Sequence, residues 1–367
     1  MQRALDILKR DANGFLELPR VQLEPKLTFS KNIFIPVTNA CRNSCSYCSF
    51  RLGKTYLLSR SRVTKMLEKG RKYGCKEALF TLGERPESNK DVSKKLKKWG
   101  YSNISEYLYE LCEISLSMKL LPHTNPGSAD YEELKMLKEV NASMGTMLEN
   151  ASPRLSEQDM PHENSPGKHP EERIKVLEAA GKLKIPFTTG ILVGIGETSE
   201  EIALSLEVIE GLNRKYKHIQ EVIVQNFKPK KGTPMEDYKE PDIFKMIKVV
   251  RAAREVLTSP VQVPPNLNIH TYPIFVLYGA SDFGGVSPVT KDYINPEAAW
   301  PDLEELFKAS ERLELELRER LPVYPKYIKE RWYSDRVGEV INLYADDEGM
   351  VTGQSPPLKQ GSLFREG

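Results

Sequence analysis

The chain has 367 residues, 40% of them hydrophobic and 8% aromatic, enough to bury the core of one barrel-sized domain or two smaller ones, which excludes wholesale disorder or a fibre. Lys and Arg number 53 against 51 Asp and Glu, a net charge of +2, too balanced for the overall electrostatic footprint of a nucleic-acid binder. No apolar run approaches the ~20 residues of a membrane span, and Met1 to Asp6 lack the basic and apolar blocks of a secretory leader, so a cytoplasmic location is expected. From about residue 33, short apolar segments alternate with amphipathic ones, the pattern of βα units around a parallel sheet. Strands are expected at 32–37, 77–82, 119–123, 142–148, 186–193 and 221–227, with weaker candidates at 261–263 and 275–279. Between them, Ile104, Tyr107, Leu108, Leu111 and Cys112 trace one helical face, which makes Cys112 a small core residue. Asp130 with Glu133, and Thr198 with Glu201, have capping-box spacing. Pro170 suits a first helical turn and Gly181 a stop. Leu303, Leu306, Phe307, Leu313 and Leu317 mark a late amphipathic helix, and beyond Asp346 the composition turns to that of a mobile tail.

The stretch from the first strand to about Gly285 is close to the roughly 250 residues of a (β/α)8 barrel. The expected fold class is therefore α/β, a TIM-like (β/α) barrel, full or partial, with a C-terminal helical extension. Its expected divisions are an N-terminal extension (1–30), the barrel (31–290), the helical extension (291–345) and the tail (346–367). In such a barrel the chemistry sits at the carboxyl ends of the strands, so loops that directly follow strands carry the functional signal.

One such loop holds Cys41, Cys45 and Cys48, three of the five cysteines. Three thiolates from one loop can hold three irons of a [4Fe-4S] cubane and leave the fourth open to an outside ligand. A structural zinc site would use paired Cys-x-x-Cys knuckles and a fourth fixed ligand. Only Cys45 and Cys48 have that spacing, and no further Cys or His stands near.

Cys41-x3-Cys45-x2-Cys48, with Tyr47 before the last cysteine, resembles the signature loop of the radical S-adenosylmethionine (SAM) enzymes. The resemblance implies a [4Fe-4S] cluster, SAM chelated to its open iron, and an external low-potential electron donor whose electron releases a 5'-deoxyadenosyl radical. It further implies that Tyr47 shapes the loop near the adenine. Leu82-Gly83-Glu84 is similar to the family's Gly-Gly-Glu motif, Gly83 and Glu84 holding the SAM amino group, with Leu82 in place of the first glycine. Ser143 and Glu149 resemble the positions for the ribose and amino acid moiety, and Arg173 the arginine that pairs with the SAM carboxylate. Gly190 to Glu197, with Gly194 and Glu197, resembles the glycine-rich motif beside the adenine. Without the resemblance, a loop glutamate and a helical arginine are ordinary solvated residues, and the glycines a tight turn.

A closer similarity is to the CofG-type small subunit of 7,8-didemethyl-8-hydroxy-5-deazariboflavin (FO) synthases. It is carried by Asn39–Phe50, Thr81–Glu87, Leu121–Gly127, Ala142–Glu149, Gln225–Phe227, Val263–Leu267 and Asp282–Thr290. The similarity implies hydrogen abstraction from 5-amino-5-(4-hydroxybenzyl)-6-(D-ribitylimino)-uracil, then cyclisation and loss of ammonia. The CofH-type sibling subunit would supply that small-molecule substrate, in a stable or transient complex; no nucleic acid or membrane partner is implied. His123, ending the third strand, is the candidate base, and Asn125, Gln225, Asn226 and Asp282 are candidate substrate contacts; each could equally be a structural hydrogen-bond partner or a cap. Competing readings are the CofH-type sibling or another biotin-synthase-like radical SAM enzyme, and, in a different class, a zinc-stabilised RNA-binding module using Lys94–Lys98 and Lys228–Lys231. Those lysine runs read first as solvated faces.

Overall fold

The first strand sets the architecture. In the computed structural model, described for residues 1–353, β1 spans Lys26–Thr38 and is followed by β2 (Glu77–Leu82), β3 (Leu121–Asn125), β4 (Ser143–Gly145), β5 (Phe187–Val193), β6 (Ile219–Asn226), β7 (Val261–Gln262) and β8 (Asp282–Val286). Each strand pairs in parallel with the next, and β1 pairs with both β2 and β8, which closes an eight-stranded barrel. β1 is longer than the barrel is tall. Its first residues project below and pair in parallel with a ninth strand, β9 (Glu316–Glu319), from Lys26 against Glu316 to Phe29 against Glu319.

Helices clothe the outside. α1 (Gln2–Lys9) and α2 (Ala12–Leu16) precede the barrel, and α1 buries Ala4, Ile7 and Leu8. The barrel helices are α3 (Arg60–Lys72), α4 (Lys90–Trp99), α5 (Ile104–Ser117), α6 (Tyr131–Lys138), α7 (Pro170–Lys182), α8 (Ser199–Tyr216), α9 (Ile243–Val256) and α10 (Tyr272–Leu277). Both capping boxes form, at Asp130/Glu133 and Thr198/Glu201, so the first turns of α6 and α8 satisfy their own amides. Cys112 is fully buried on α5 and Pro170 opens α7, as expected; α7, however, runs through Gly181 to Lys182. No helix among the described residues is long and apolar enough to cross a membrane.

The C-terminal third departs from the sequence reading. Of residues 275–279, the first three are helical and the last two a turn, because Tyr272, Phe275 and Val276 bury one face of α10. The eighth strand is Asp-Phe-Gly-Gly-Val, a sequence of low strand propensity that is held by its pairing with β1. The late helix, α11 (Leu303–Arg312), stops at a left-handed turn around Glu314 (φ 57°), so Leu317 belongs to β9. α12 (Pro325–Lys329) and α13 (Asp335–Ile341) follow. The segment expected to begin a mobile tail at 346 instead packs: Met350 and Val351 are buried and bridge to Arg320 and Ala345. The remainder of that tail, 354–367, lies outside the described residues.

After β9 the chain turns under the barrel and plugs it. The buried Arg320 guanidinium donates from Nε to Asp282 Oδ2 (2.7 Å), from one terminal nitrogen to Glu221 Oε2 (2.8 Å) and Asp282 Oδ1 (2.9 Å), and from the other to the Leu321 carbonyl (3.1 Å). Tyr324 donates to the same two carboxylates. Removing the cation would leave two buried carboxylates without a counter-charge, the case in which a broken buried pair costs most. Arg320→Met should therefore lower the unfolding free energy by about 3–5 kcal/mol in denaturant titrations. Arg318→Met, which disrupts partly exposed pairs with Asp346 and Glu348, should cost less than ~1 kcal/mol.

Candidate functional site

The loop that leaves β1 carries the three cysteines over the carboxyl end of the barrel. Asn39 anchors it, its amide donating to the Leu52 and Lys54 carbonyls and accepting from the Tyr56 N–H. The loop backbone is pinned from the other side: Ser44 N–H donates to the Asn164 carbonyl and Ser46 N–H to that of Pro161, both at 2.9 Å. Below, at the exit of β2, Gly83 passes so close that any side chain would collide with the Ala40 carbonyl. A glycine here is what lets the loop settle onto the strand end. The next N–H, that of Glu84, donates to Cys41 Sγ at 3.2 Å.

Cys41, Cys45 and Cys48 line a single cavity of about 350 Å³ that runs down the barrel axis. Burial raises the Cys41 thiol pKa and pushes that of Cys48 up to about 11, with Cys45 adding to the latter. Thiolates in this loop thus require a positive partner. Among the described residues no group of three His, Cys, Asp or Glu is gathered tightly enough to hold a single metal ion. Three thiols from one loop, all lining one cavity, suit a cluster that leaves one iron open better than a zinc ion that takes four fixed ligands.

Two buried ion pairs face the same cavity. Glu84 accepts from Arg173 (2.6 Å), from Ser128 Oγ (2.6 Å) and from Arg42 Nε (3.3 Å). Burial alone would raise the pKa of its carboxyl; Arg173, with Ser128, Lys168 and Arg42, holds it below the usual range instead. Gly167 gives this carboxylate its room, since a side chain there would overlap it. The second pair joins Glu149 to Lys168. Burial again opposes the charge on Glu149, and Lys168 keeps it ionised. Glu149 also has a left-handed backbone (φ 64°), held by its N–H to the Gly190 carbonyl and by the Leu192 N–H to its own carbonyl, both at 3.0 Å. A non-glycine residue kept in that conformation stores strain of about 1–3 kcal/mol, common at ligand clamps.

Halfway down sits His123. The Pro322 carbonyl can only accept, and it takes the Ser143 hydroxyl proton at 2.6 Å. Ser143 Oγ is then the acceptor for His123 Nδ1–H at 2.7 Å. That leaves Nε2 without a proton, and because the atom placed 3.3 Å from it is Asn125 Oδ1, also an acceptor, this tautomer requires the amide turned so that its NH2 donates to Nε2 and its oxygen accepts from the Thr81 hydroxyl. Burial lowers the His123 pKa to about 4, so the imidazole is neutral. Tyr47 packs edge-on to His162 and its hydroxyl lies 2.9 Å from His162 Nε2. Burial, with Lys168 nearby, brings that histidine to about 3.

Of the residues singled out from sequence, the cavity gathers Cys41, Cys45, Tyr47, Cys48, Gly83, Glu84, His123, Asn125, Glu149, Arg173 and Gln225. Five do not reach it. Ser143 lies at the foot of β4, buried, with its hydroxyl committed to Pro322 and His123. Gly194 and Glu197 form the turn after β5, where the Glu197 carboxylate accepts the Gly194 and Ile195 N–H groups and pairs with Lys245. Asn226 alternates outward from Gln225 and accepts from Asn268 (2.9 Å). Asp282 begins β8, at the opposite end of the barrel from the cysteines, and is bound to Arg320. The lysine runs also divide. Lys94, Lys95, Lys97 and Lys98 are exposed on α4, whereas Lys230 is buried at the cavity wall near Glu297. Lys168 and His162 were not legible, because they sit in aperiodic turns; the Ser-Pro-Gly-Lys run ahead of α7 was the one available signal.

Comparison with known proteins gives the following. A family model for the radical SAM superfamily matches residues 35–209. The 7,8-didemethyl-8-hydroxy-5-deazariboflavin synthase of Methanocaldococcus jannaschii is 56% identical over 313 residues, 85% of this chain and 87% of the relative. That of Methanopyrus kandleri is 51% identical over 332 residues, 89% of this chain and 99% of the relative. Among solved structures, the [FeFe]-hydrogenase maturase HydG superposes with a TM-score of 0.70 at 16% identity, covering 92% of this chain and 76% of that one. Methylornithine synthase (PylB) gives 0.60 at 19% identity, covering 86% and 87%. Those two likenesses concern the fold.

Two measurements check the site geometry. Gly83→Ala should displace the cysteine loop, so that anaerobic reconstitution leaves several-fold less iron on the protein while its secondary structure is unchanged. His123 and His162 are neutral when folded, but take up protons near pH 6.5 when unfolded. Their contribution to stability is thus present above pH 6.5 and is lost as the pH falls toward 4 and 3. The unfolding free energy of the metal-free protein should fall over that window, and less steeply in His162→Gln.

Proposed function

The chain belongs to the radical SAM superfamily and, within it, to the FO synthases, and from that premise we propose how its residues divide the work. It is an enzyme that makes FO, the deazaflavin chromophore, with a [4Fe-4S] cluster and SAM as cofactors. The observation that carries this reading is the identity of 51–56% to FO synthases over most of the chain. The cavity, with three thiols at its rim and the Glu84–Arg173 pair beneath, supports it.

Cys41, Cys45 and Cys48 would hold the cluster by three irons, and burial of two of these thiols fits a site whose charge the irons neutralise. With SAM bound, the group supplies a 5'-deoxyadenosyl radical that removes a hydrogen atom from the benzylic carbon of 5-amino-5-(4-hydroxybenzyl)-6-(D-ribitylimino)-uracil. Glu84 and Arg173 are charge-matched to the two ends of an amino acid zwitterion, ammonium to the carboxylate and carboxylate to the guanidinium. Arg173 has a buried Nε without a partner, a donor still to be satisfied. Lys168 and Glu149 form the second clamp, and Tyr47, fixed by His162, walls the loop. His123 offers Nε2 as the base that takes a proton during cyclisation and ammonia loss. Asn125 orients that ring, and Gln225 faces the substrate from β6. The reading brings with it an external low-potential electron donor, a cytoplasmic location and, as the source of the adduct, the CofH-type sibling.

The test is anaerobic turnover of the reconstituted protein with SAM, a strong reductant and the adduct. Deazaflavin fluorescence is expected; its absence with SAM cleavage intact would remove the substrate assignment. His123→Gln should lower FO formation by ~10²- to 10⁴-fold, the usual contribution of a placed base, while SAM cleavage persists. An unchanged FO yield would remove the base.

A further inference from the structure

The lower half of the cavity is polar where a barrel of this kind is ordinarily filled by branched apolar side chains. Asn32, Glu77, Thr188 and Glu221 stand near the amino ends of their strands or in register with one, Gln262 stands at their upper edge in register with Ile223, and all five line the cavity. Arg320 and Pro322 of the C-terminal plug close it from beneath. One layer up, Phe34, Leu79 and Ile223 make the apolar part of a collar that His123, in register with Leu79, and Gln262, in register with Ile223, complete. The chamber is therefore a polar cup below a collar with an apolar side, with the cysteine loop above both.

Asn32 is the unexplained member. It is wholly buried, lines the cavity, and has no partner for either the oxygen or the nitrogen of its amide. Gly285 on β8 is what admits that amide, since a side chain there would collide with Asn32 Nδ2. Gln262 similarly lies across Gly284. Buried polar groups are almost always paired, so a donor and an acceptor left over at the base of a substrate cavity mark the place of a ligand that supplies both. A hydroxyl does so. The cup is also unsuited to an anion: Glu77 and Glu221 face it, and Arg320 already commits its donors to Asp282, Glu221 and the Leu321 carbonyl.

We propose that the cup is the subsite for an uncharged polyol, the ribityl chain of the substrate, with Asn32 as its central specificity residue and the aromatic end of the substrate raised past the collar toward Cys41, Cys45 and Cys48. The assignment rests on the FO synthase reading and gives that substrate a direction in the barrel. Carboxylates and amides alternating around a closed end match a chain in which every carbon carries a donor-acceptor hydroxyl.

The experiment is equilibrium binding, by calorimetry on the reconstituted holoenzyme, of 5-amino-6-(D-ribitylamino)uracil and of its 6-methylamino counterpart. Wild type should bind the ribityl compound at least about tenfold more tightly, a difference that a few satisfied hydrogen bonds supply. Asn32→Leu should abolish that preference and leave the methyl compound's affinity unchanged, and Gln262→Leu, a second variant in case the first folds poorly, should reduce it. Equal affinities in wild type, or a ribityl preference that survives both substitutions, would overturn the subsite. The binding ratio is read without turnover, so loss of FO formation with the ratio intact would count against the functional reading and not against the cup.

Discussion

The Glu84 carboxylate is the joint on which the upper barrel depends. Its side chain takes donors from Arg173 on α7, from Ser128 after β3 and from Arg42 in the cysteine loop, while its backbone donates to Cys41 Sγ and accepts from Arg42 N–H. Three segments distant in sequence are thus tied to one residue at the end of β2. A carboxylate buried this deeply is tolerable only while its cations stay in place. A charged ligand that exchanges with Arg173 or Lys168 would therefore act on the loop, the strand end and the helix together. Pre-organisation at this end of the barrel comes from charge balance in a dry site, more than from apolar packing.

The floor follows the same rule with different partners. Arg320 arrives from outside the eight-stranded barrel and neutralises carboxylates supplied by β6 and β8. The Pro322 carbonyl beside it fixes Ser143, and through Ser143 the tautomer of His123. The protonation state of a residue in the middle of the barrel is thereby set by a segment nearly 200 residues further along the chain. That coupling gives the C-terminal extension a role in the site as well as in stability.

Much of this was legible in the sequence. The three thiols announce themselves by spacing, and β1, β2, β5 and β6 by β-branched and aromatic runs whose apolar residues suit a sheet buried on both faces. Asp282–Val286 was not readable as a strand because its residues have little strand propensity, and pairing with β1 and β7 holds it. β9 hid behind α11 because leucines 303, 306, 313 and 317 continue a helical period across a turn that one left-handed residue makes. At the site, Glu84 and Arg173 were singled out by motif and line the cavity, whereas Ser143, Asn226 and Asp282 fall outside it for a geometric reason. Polarity and proximity to a strand end do not say which face of the strand a residue takes, nor which end of the barrel it occupies. Lys168 and His162 carried no periodic signal at all, and Asn32 was read only as the start of a strand; their significance lies in burial, which a sequence does not print.

The plug beneath the barrel also has a consequence for the order in which the protein can be completed during synthesis. β1 leaves the ribosome before the other strands of the barrel, yet its lower edge is filled by β9, and Glu221 and Asp282 meet their guanidinium only when residue 320 has emerged. Until then the nascent barrel has an open lower edge and two carboxylates facing inward without a cation. Closure is thus a late, long-range event. The barrel gains its sealed interior only after the segment from β9 to Arg320 has been translated.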